Sequence, residues 1–334
     1  MKQLNKVQLL ALSLIREDAK FIYTFVEISR NQKKLNSNYI CMLLPYIGIF
    51  AHGSEMWGKK VNLDIPIFNE KERQFYTNVR QSHKLFEMNY TKLKEKINLH
   101  YKKADYYFQP HKKLFSETTD KYYNVGYDIC NEKYCGNTIL IDTYLPDFKF
   151  GTNPIIYKKI SIIVGQLVNK YMCGKKEIYN YDVNLNSSMF DFNFSDNKIF
   201  VDNSIETFSY FTILCAINFI IEFIDKLFID EIPQKLKYSY ILYYYLCGLV
   251  DEINIVDGTK FVIDNTLVDS RFRNCIAHYG LGQIMTSNDI IEDDLFGGLT
   301  NKIFNMNYLE VKNFVYEQLQ NLEQQIENII FLSS

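Results

Sequence analysis

Apolar positions recur at helical spacing along most of the chain. Val7, Leu10, Leu14, Phe21, Phe25 and Ile28 are separated by charged residues and predict an amphipathic helix within 4–34; the more apolar 36–56 predicts a second helix or a helix pair. The stretch 69–108 opens on Asn69-Glu70-Lys71-Glu72, where Asn69 and Glu72 have capping-box spacing, and contains no Gly or Pro. It predicts one long, basic, exposed helix. From 116 to 202 the pattern turns irregular, with Gly126, Gly136, Pro146, Gly151 and Pro154 bounding short runs such as Thr138-Ile139-Leu140-Ile141 and one helix predicted over 155–171. The segment 182–201 alternates through Val183 and Leu185, changes phase near Ser187-Ser188, and resumes at Phe190, Phe192 and Phe194. A small hairpin turning near Ser195-Asp196-Asn197 satisfies that pattern.

The last third is helical throughout. Asn203 and Glu206 have capping-box spacing and open a helix to about 228; Pro233 opens another ending near 251; a third covers 264–279 and stops at Gly280. A last helix over 298–331 carries Phe304, Tyr308, Val311, Val315, Leu319, Leu322, Ile326 and Ile329 at a mean step of about 3.6 residues. The expected architecture is mainly α: a helical N-terminal region (1–115), a small mixed α/β segment (116–202) and a C-terminal helical bundle (203–334).

Composition narrows the function classes. With 334 residues, 47% hydrophobic and 16% aromatic, the chain is expected to fold rather than remain disordered, and 14 Gly with 6 Pro are too few for an all-β turn pattern. The net charge of −2 excludes a basic whole-chain footprint. It also conceals a division, because 69–115 holds eleven Lys or Arg against five Asp or Glu, while 283–334 holds two against eight. A nucleic-acid partner therefore stays open. Seven cysteines, an odd number, suggest reduced thiols in a cytoplasmic protein, and the close pair Cys130 and Cys135 has no second pair with which to form a zinc site. The apolar run 7–15 ends in Arg16-Glu17-Asp18 without a small-residue cleavage site, and the spans 36–54 and 207–221 are interrupted or short for a bilayer, so neither a signal peptide nor a membrane partner is expected. Phosphate-loop, dinucleotide and Gly-x-Ser-x-Gly motifs do not occur.

Arginine is rare, six against 31 lysines, and two of the six fall in Ser270-Arg271-Phe272-Arg273-Asn274-Cys275-Ile276-Ala277-His278-Tyr279-Gly280. An Arg followed five places later by a His is expected by chance far less than once in a chain with so few of either. With Arg273, Asn274 and His278 the segment resembles the HEPN superfamily, whose ribonuclease members carry an Arg, a polar residue, a short spacer and a His near the end of a bundle helix; Ala277 and Gly280 also match what is common there. The resemblance covers roughly 203–334. It implies an HEPN-like bundle and a metal-independent endoribonuclease of toxin, phage-defence or abortive-infection type, requiring no cofactor. It further implies an RNA substrate, a homodimer that brings two motifs into one cleft, and a possible antitoxin or regulatory partner. Arg273, Asn274 and His278 would be the catalytic residues.

The residue chemistry fits that reading independently. Attack of a 2′-hydroxyl on the neighbouring phosphate needs a base, an acid for the leaving 5′-oxygen, and positive charge on the phosphorane. An imidazole serves as either acid or base near neutral pH, and a guanidinium grips two phosphate oxygens in a fork that lysine lacks. On an ideal helix Asn274 and His278 lie about 40° apart, but Arg273 lies about 140° from His278. Arg273 must therefore curl back, or the helix must end or distort before His278. One His per chain does not easily serve as both acid and base, which is a physical motive for a two-fold dimer. The plainer alternative is that His278 and the arginines only complement a helix C-terminus.

Other positions carry weaker signals. Arg271, Lys92, Lys96, Lys102 and Lys103 are candidate RNA contacts, the lysines interleaved with Tyr90, Tyr101, Tyr106 and Tyr107 and with His83 and His100; a solvated charged face explains them equally. His52, ending an apolar helix, is either a degenerate relative of the His278 motif lacking its Arg or a core or capping histidine. Asp264 and Asp269 are placed to orient Arg273 or His278 or to cap a helix, and Asp289, Glu292, Asp293 and Asp294 read as an acidic loop. Two rival functions remain, a non-catalytic HEPN-like module that binds RNA or protein, and a structural protein whose basic and acidic segments pair between subunits.

Overall fold

A computed structural model of the chain describes residues 3–31, 38–109, 123–145, 153–196 and 199–331. Helix α1 (Lys6–Asn31) buries Val7, Leu10, Leu14, Phe21, Phe25 and Ile28, the stripe its spacing predicts. The apolar 36–56 stretch is a helix pair, α2 (Asn38–Met42) and α3 (Leu44–Lys60), divided at Leu43 just ahead of Pro45.

Residues 69–108 are not one exposed helix. Asn69 and Glu72 do close a reciprocal capping box, but α4 (Glu70–Gln81) gives way to a 3₁₀ turn over Ser82–Glu87, and Asn89 caps a new helix, α5 (Tyr90–Phe108). The break lies where Ser82 Oγ donates to the Val79 carbonyl at 2.6 Å and His83 Nδ1 donates to the Arg80 carbonyl, side chains competing with the helical ladder. Nor is the stretch solvated along its length, because Tyr90, Leu93, Ile97 and Ala104 are wholly buried.

In the middle of the chain β1 (Val125–Cys130) and β2 (Lys133–Asn137) form a hairpin across Asn131 and Glu132, both at positive φ (48° and 67°). Strand β3 (Ser187–Phe192) pairs antiparallel with the other edge of β1, giving the order β2-β1-β3. The 182–201 segment contributes one strand, Ser187–Phe192, to this sheet; its phase change marks where the strand begins, and Asn197 of the expected turn lies outside the described residues. The run Thr138-Ile139-Leu140-Ile141 opens α6 (Thr138–Tyr144), since Asn137 accepts from the Leu140 N–H at 2.8 Å. Helix α7 (Asn153–Met172) follows.

The C-terminal helices are α8 (Ile205–Leu227), α9 (Pro233–Asp257), α10 (Ser270–His278), α11 (Gly297–Phe304) and α12 (Tyr308–Ile330). Ser204, rather than Asn203, caps α8. By length and composition α8 would suffice to cross a membrane, yet 94% of its most apolar window is buried inside the protein. Helix α10 starts later than expected because Asp269 accepts from the Arg271 and Phe272 N–H groups and sets its first turn there. The expected helix over 298–331 is broken at Asn305 (φ 56°) and restarted by the Asn307–Glu310 capping box; Ile330, not Ile329, completes the buried stripe.

The architecture is mainly α with one small antiparallel sheet, and side chains from all three stretches of the chain join one hydrophobic cluster. Beneath the end of α10 lies a buried polar group. Asp18 of α1 accepts from Lys237 Nζ, from Gln234 Nε2 at 2.9 Å and from the Tyr279 hydroxyl, while Lys237 also lies 4.3 Å from the centre of the Tyr279 ring. Both ionic side chains are 2% exposed. Removing one partner of such a pair strands the other charge in the interior. Asp18→Ala is expected to cost about 3–5 kcal/mol of stability in denaturant unfolding; an unchanged midpoint would show that the pair supports nothing.

Candidate active site

Helix α3 comes unusually close to its neighbours at two glycines. A Cβ at Gly48 would sit 2.5 Å from the Arg80 backbone nitrogen, and one at Gly53 would sit 2.8 Å from the Tyr279 ring. Four residues after Gly48 and one before Gly53 stands His52. The two contacts therefore bring α4 and α10 against His52 from two sides.

The His52 and His278 rings meet edge to face, with centroids 6.4 Å apart and planes at 65°. Arg80 Nη1 lies 3.5 Å from His52 Nδ1. A guanidinium only donates, so Nδ1 accepts and the neutral His52 ring carries its proton on Nε2. The Arg273 guanidinium stacks over Tyr244 and Tyr245, 4.9 and 5.5 Å from their ring centres, and the same Tyr245 ring lies 5.9 Å from that of His83. Three of the five histidines and two of the six arginines thus belong to one connected group.

Helix α10 neither ends nor distorts before His278; it ends there, and Tyr279 turns the chain into the left-handed region (φ 56°). Tyr279 is 1% exposed and tied to Asp18, so a conformation unfavourable for tyrosine is held by the surrounding core. Arg273 reaches the group by lying across Tyr244 and Tyr245 of α9.

The group has more cation than anion. Among the described residues neither Arg80 nor Arg273 has a carboxylate within ion-pair distance, and Arg80 Nε, Arg273 Nε and His83 Nε2 are buried without a hydrogen-bond partner. The neighbouring acid, Glu55, is already engaged by Lys59 at 2.6 Å, by Arg73 at 3.1 Å and by the Tyr76 hydroxyl. Burial, followed by the positive charge of Arg80, pulls His278 down to about 3 and His52 to about 4; burial likewise brings His83 to about 4. Burial also lowers Arg80. At neutral pH the rings are uncharged around two guanidiniums. Such an arrangement attracts an anion of phosphate size, which would offset the positive potential.

The remaining sequence candidates stand elsewhere. Asn274 is exposed and makes no hydrogen bond among the described residues. Arg271 is exposed and paired with Asp269 at 2.8 Å, and Asp269 serves as the α10 cap. On α5, Lys92, Lys102 and Lys103 are exposed, whereas Lys96 is half-buried and donates to the Thr143 carbonyl at 3.4 Å. His100 pairs with the buried Asp142 at 2.5 Å. The sequence places Arg80 only among the basic residues of the 69–108 stretch and gives His52 a lesser weight; arginine scarcity, the signal that singles out Arg273, applies equally to Arg80.

The chain matches no protein-family model, no curated protein and no solved structure.

The depressed histidines set a pH dependence. Their unfolded forms bind protons near the ordinary 6.5, the folded forms only near 3 to 4, so the unfolded state holds more protons in between and stability falls as pH drops through that window. His278→Gln, which removes one of these groups, is expected to lose less stability than wild type between pH 6.5 and 4 in thermal melts. Equal losses would place His278 in an ordinary environment.

Proposed function

We propose that the chain is a ribonuclease in which Arg273 binds the scissile phosphate and His278 transfers a proton. The observation that carries this reading is the pair of half-buried guanidiniums without carboxylate partners beside neutral imidazoles. Structural arginines of a protein core are ordinarily paired. These two keep their forks for a planar or tetrahedral anion.

The reaction is attack of a 2′-hydroxyl on the adjacent phosphodiester, with no metal or cofactor in the proposed path. Exposed Asn274 stands one turn before His278 and is assigned to RNA contact near the scissile bond. Exposed Lys92, Lys102 and Lys103, with Tyr106 and Tyr107 nearby on α5, are assigned to the RNA backbone and bases, with Arg271 and Lys96 in lesser roles. The resemblance to HEPN ribonucleases of toxin and phage-defence systems supports the same reading and adds a cytoplasmic setting, a homodimer and a regulatory or antitoxin partner to the proposal.

One observation favours a second reading. A histidine at about 3 is unprotonated in the free protein at neutral pH, as suits a phosphate-binding module that cleaves nothing. Cleavage assays separate the two. His278→Ala and Arg273→Ala are expected to slow cleavage of a labelled RNA by about 100-fold or more, with Arg273→Lys failing to restore it and chelators without effect. Wild-type rates in both alanine variants would sink the ribonuclease reading; RNA binding without any cleavage by the wild type would establish the module.

A further inference from the structure

We propose that the site is complete within one chain, with His52 as the second proton-transfer residue and Arg80 as the second phosphate-binding guanidinium. The inference rests on the ribonuclease reading and goes beyond it, because it removes the need for a second subunit's His278.

Three observations converge on it. The first is composition: His52, with Arg80 Nη1 3.5 Å from its Nδ1, joins His278 and Arg273 in one group, and among the described residues neither arginine has a carboxylate within ion-pair distance. The second is separation. The ring centroids are only 6.4 Å apart, close enough for one phosphodiester to lie within reach of both rings. The third is proximity within the chain: an imidazole already stands against His278, that of His52, whose helix is held close to its neighbours at Gly48 and Gly53.

The hydrogen bonding leaves both rings available. His52 Nδ1 faces Arg80, so its Nε2 is the nitrogen free to exchange a proton. The His278 ring makes no hydrogen bond among the described residues. In the reaction one ring takes the 2′-hydroxyl proton as the 2′-oxygen bonds to phosphorus. The bond from phosphorus to the 5′-oxygen breaks, and the other ring, protonated beforehand from solvent, gives its proton to that oxygen. The products are a 2′,3′-cyclic phosphate and a 5′-hydroxyl, with Arg80 and Arg273 holding the non-bridging oxygens throughout. His52 faces Arg80, Glu55 and Lys59 with the Tyr76 ring alongside, and His278 faces Arg80, His83, His52 and Arg273; a bound phosphodiester adds the negative charge that lets one ring hold a proton.

The test compares wild type, His52→Ala, His278→Ala and an equimolar mixture of the two variants on a 5′-labelled mixed-sequence RNA. Each single variant is expected to be slower by about 100-fold or more with an unchanged unfolding midpoint, and the mixture to recover nothing. At the mapped cleavage bond, sulfur in place of the leaving 5′-oxygen departs without a proton, so it is expected to restore whichever variant lacks the acid and not the other. A His52→Ala rate equal to wild type, beside an inactive His278→Ala, overturns the inference and leaves the ribonuclease reading standing. Recovery in the mixture overturns it also, by showing that chains share the site. Full activity in both variants removes the underlying reading instead. Independently of cleavage, inorganic phosphate is expected to shift the ring resonances of His52 and His278 together, and Arg80→Ala to weaken both shifts; phosphate that moves His278 alone, or neither, counts against the shared site.

Discussion

Helix α3 runs so close to α4 and α10 that at Gly48 and Gly53 there is no space for a methyl group. A Cβ at either position would enter the Arg80 backbone or the Tyr279 ring. Close backbone approach of this kind is a use of glycine that needs no positive φ. Its consequence is local and chemical: His52, which stands between the two contacts, lies against Arg80 and His278. The same packing buries the imidazoles, and burial is the largest influence holding them neutral.

Electrostatics then works against stability. Two guanidiniums and the turn that bears His83 share a partly desolvated region, while the nearby carboxylate of Glu55 is taken up by Lys59, Arg73 and Tyr76. A fold selected for stability alone would place an acid between Arg80 and Arg273 or replace one of them. Beneath the group Asp18 compensates Lys237 and anchors Tyr279, fixing the turn that follows His278. An apolar substitution for that buried pair would serve stability equally well. The hydrogen bond from Tyr279 would not survive it, so the pair's value lies in holding one backbone conformation.

Helical class and the starts of α4 and α9 were legible in the sequence because each depends on local spacing. Asn69 with Glu72, and the stripe from Val311 to Ile326, are cases where residues three or four apart decide the outcome. What was not legible depended on contacts between distant segments. The break at Ser82 and His83 is invisible to a pattern search, which sees only the absence of Gly and Pro; it arises because their side chains bond back to the Val79 and Arg80 carbonyls. The sheet was misread for a similar reason: β3 finds its partner in β1, some sixty residues earlier, rather than in its own neighbours. Asn305 interrupted the last helix through a left-handed residue that periodicity does not register. The convergence of His52 on His278, separated by more than two hundred positions, belongs to the same class.

Neutral imidazoles beside unpaired guanidiniums look ill-suited to general acid catalysis, yet the two features depend on each other. Arg80, the largest influence after burial in lowering both His52 and His278, is a group an arriving phosphodiester would neutralise, so a bound anion would raise both rings toward protonation. An imidazole charged in the free protein would instead add to the repulsion around Arg80 and Arg273 and destabilise the fold at neutral pH. Coupling protonation to occupancy therefore reconciles the stability of the unliganded protein with the chemistry assigned to it. A carboxylate paired with Arg80 or Arg273 would instead occupy the forks that a phosphate needs.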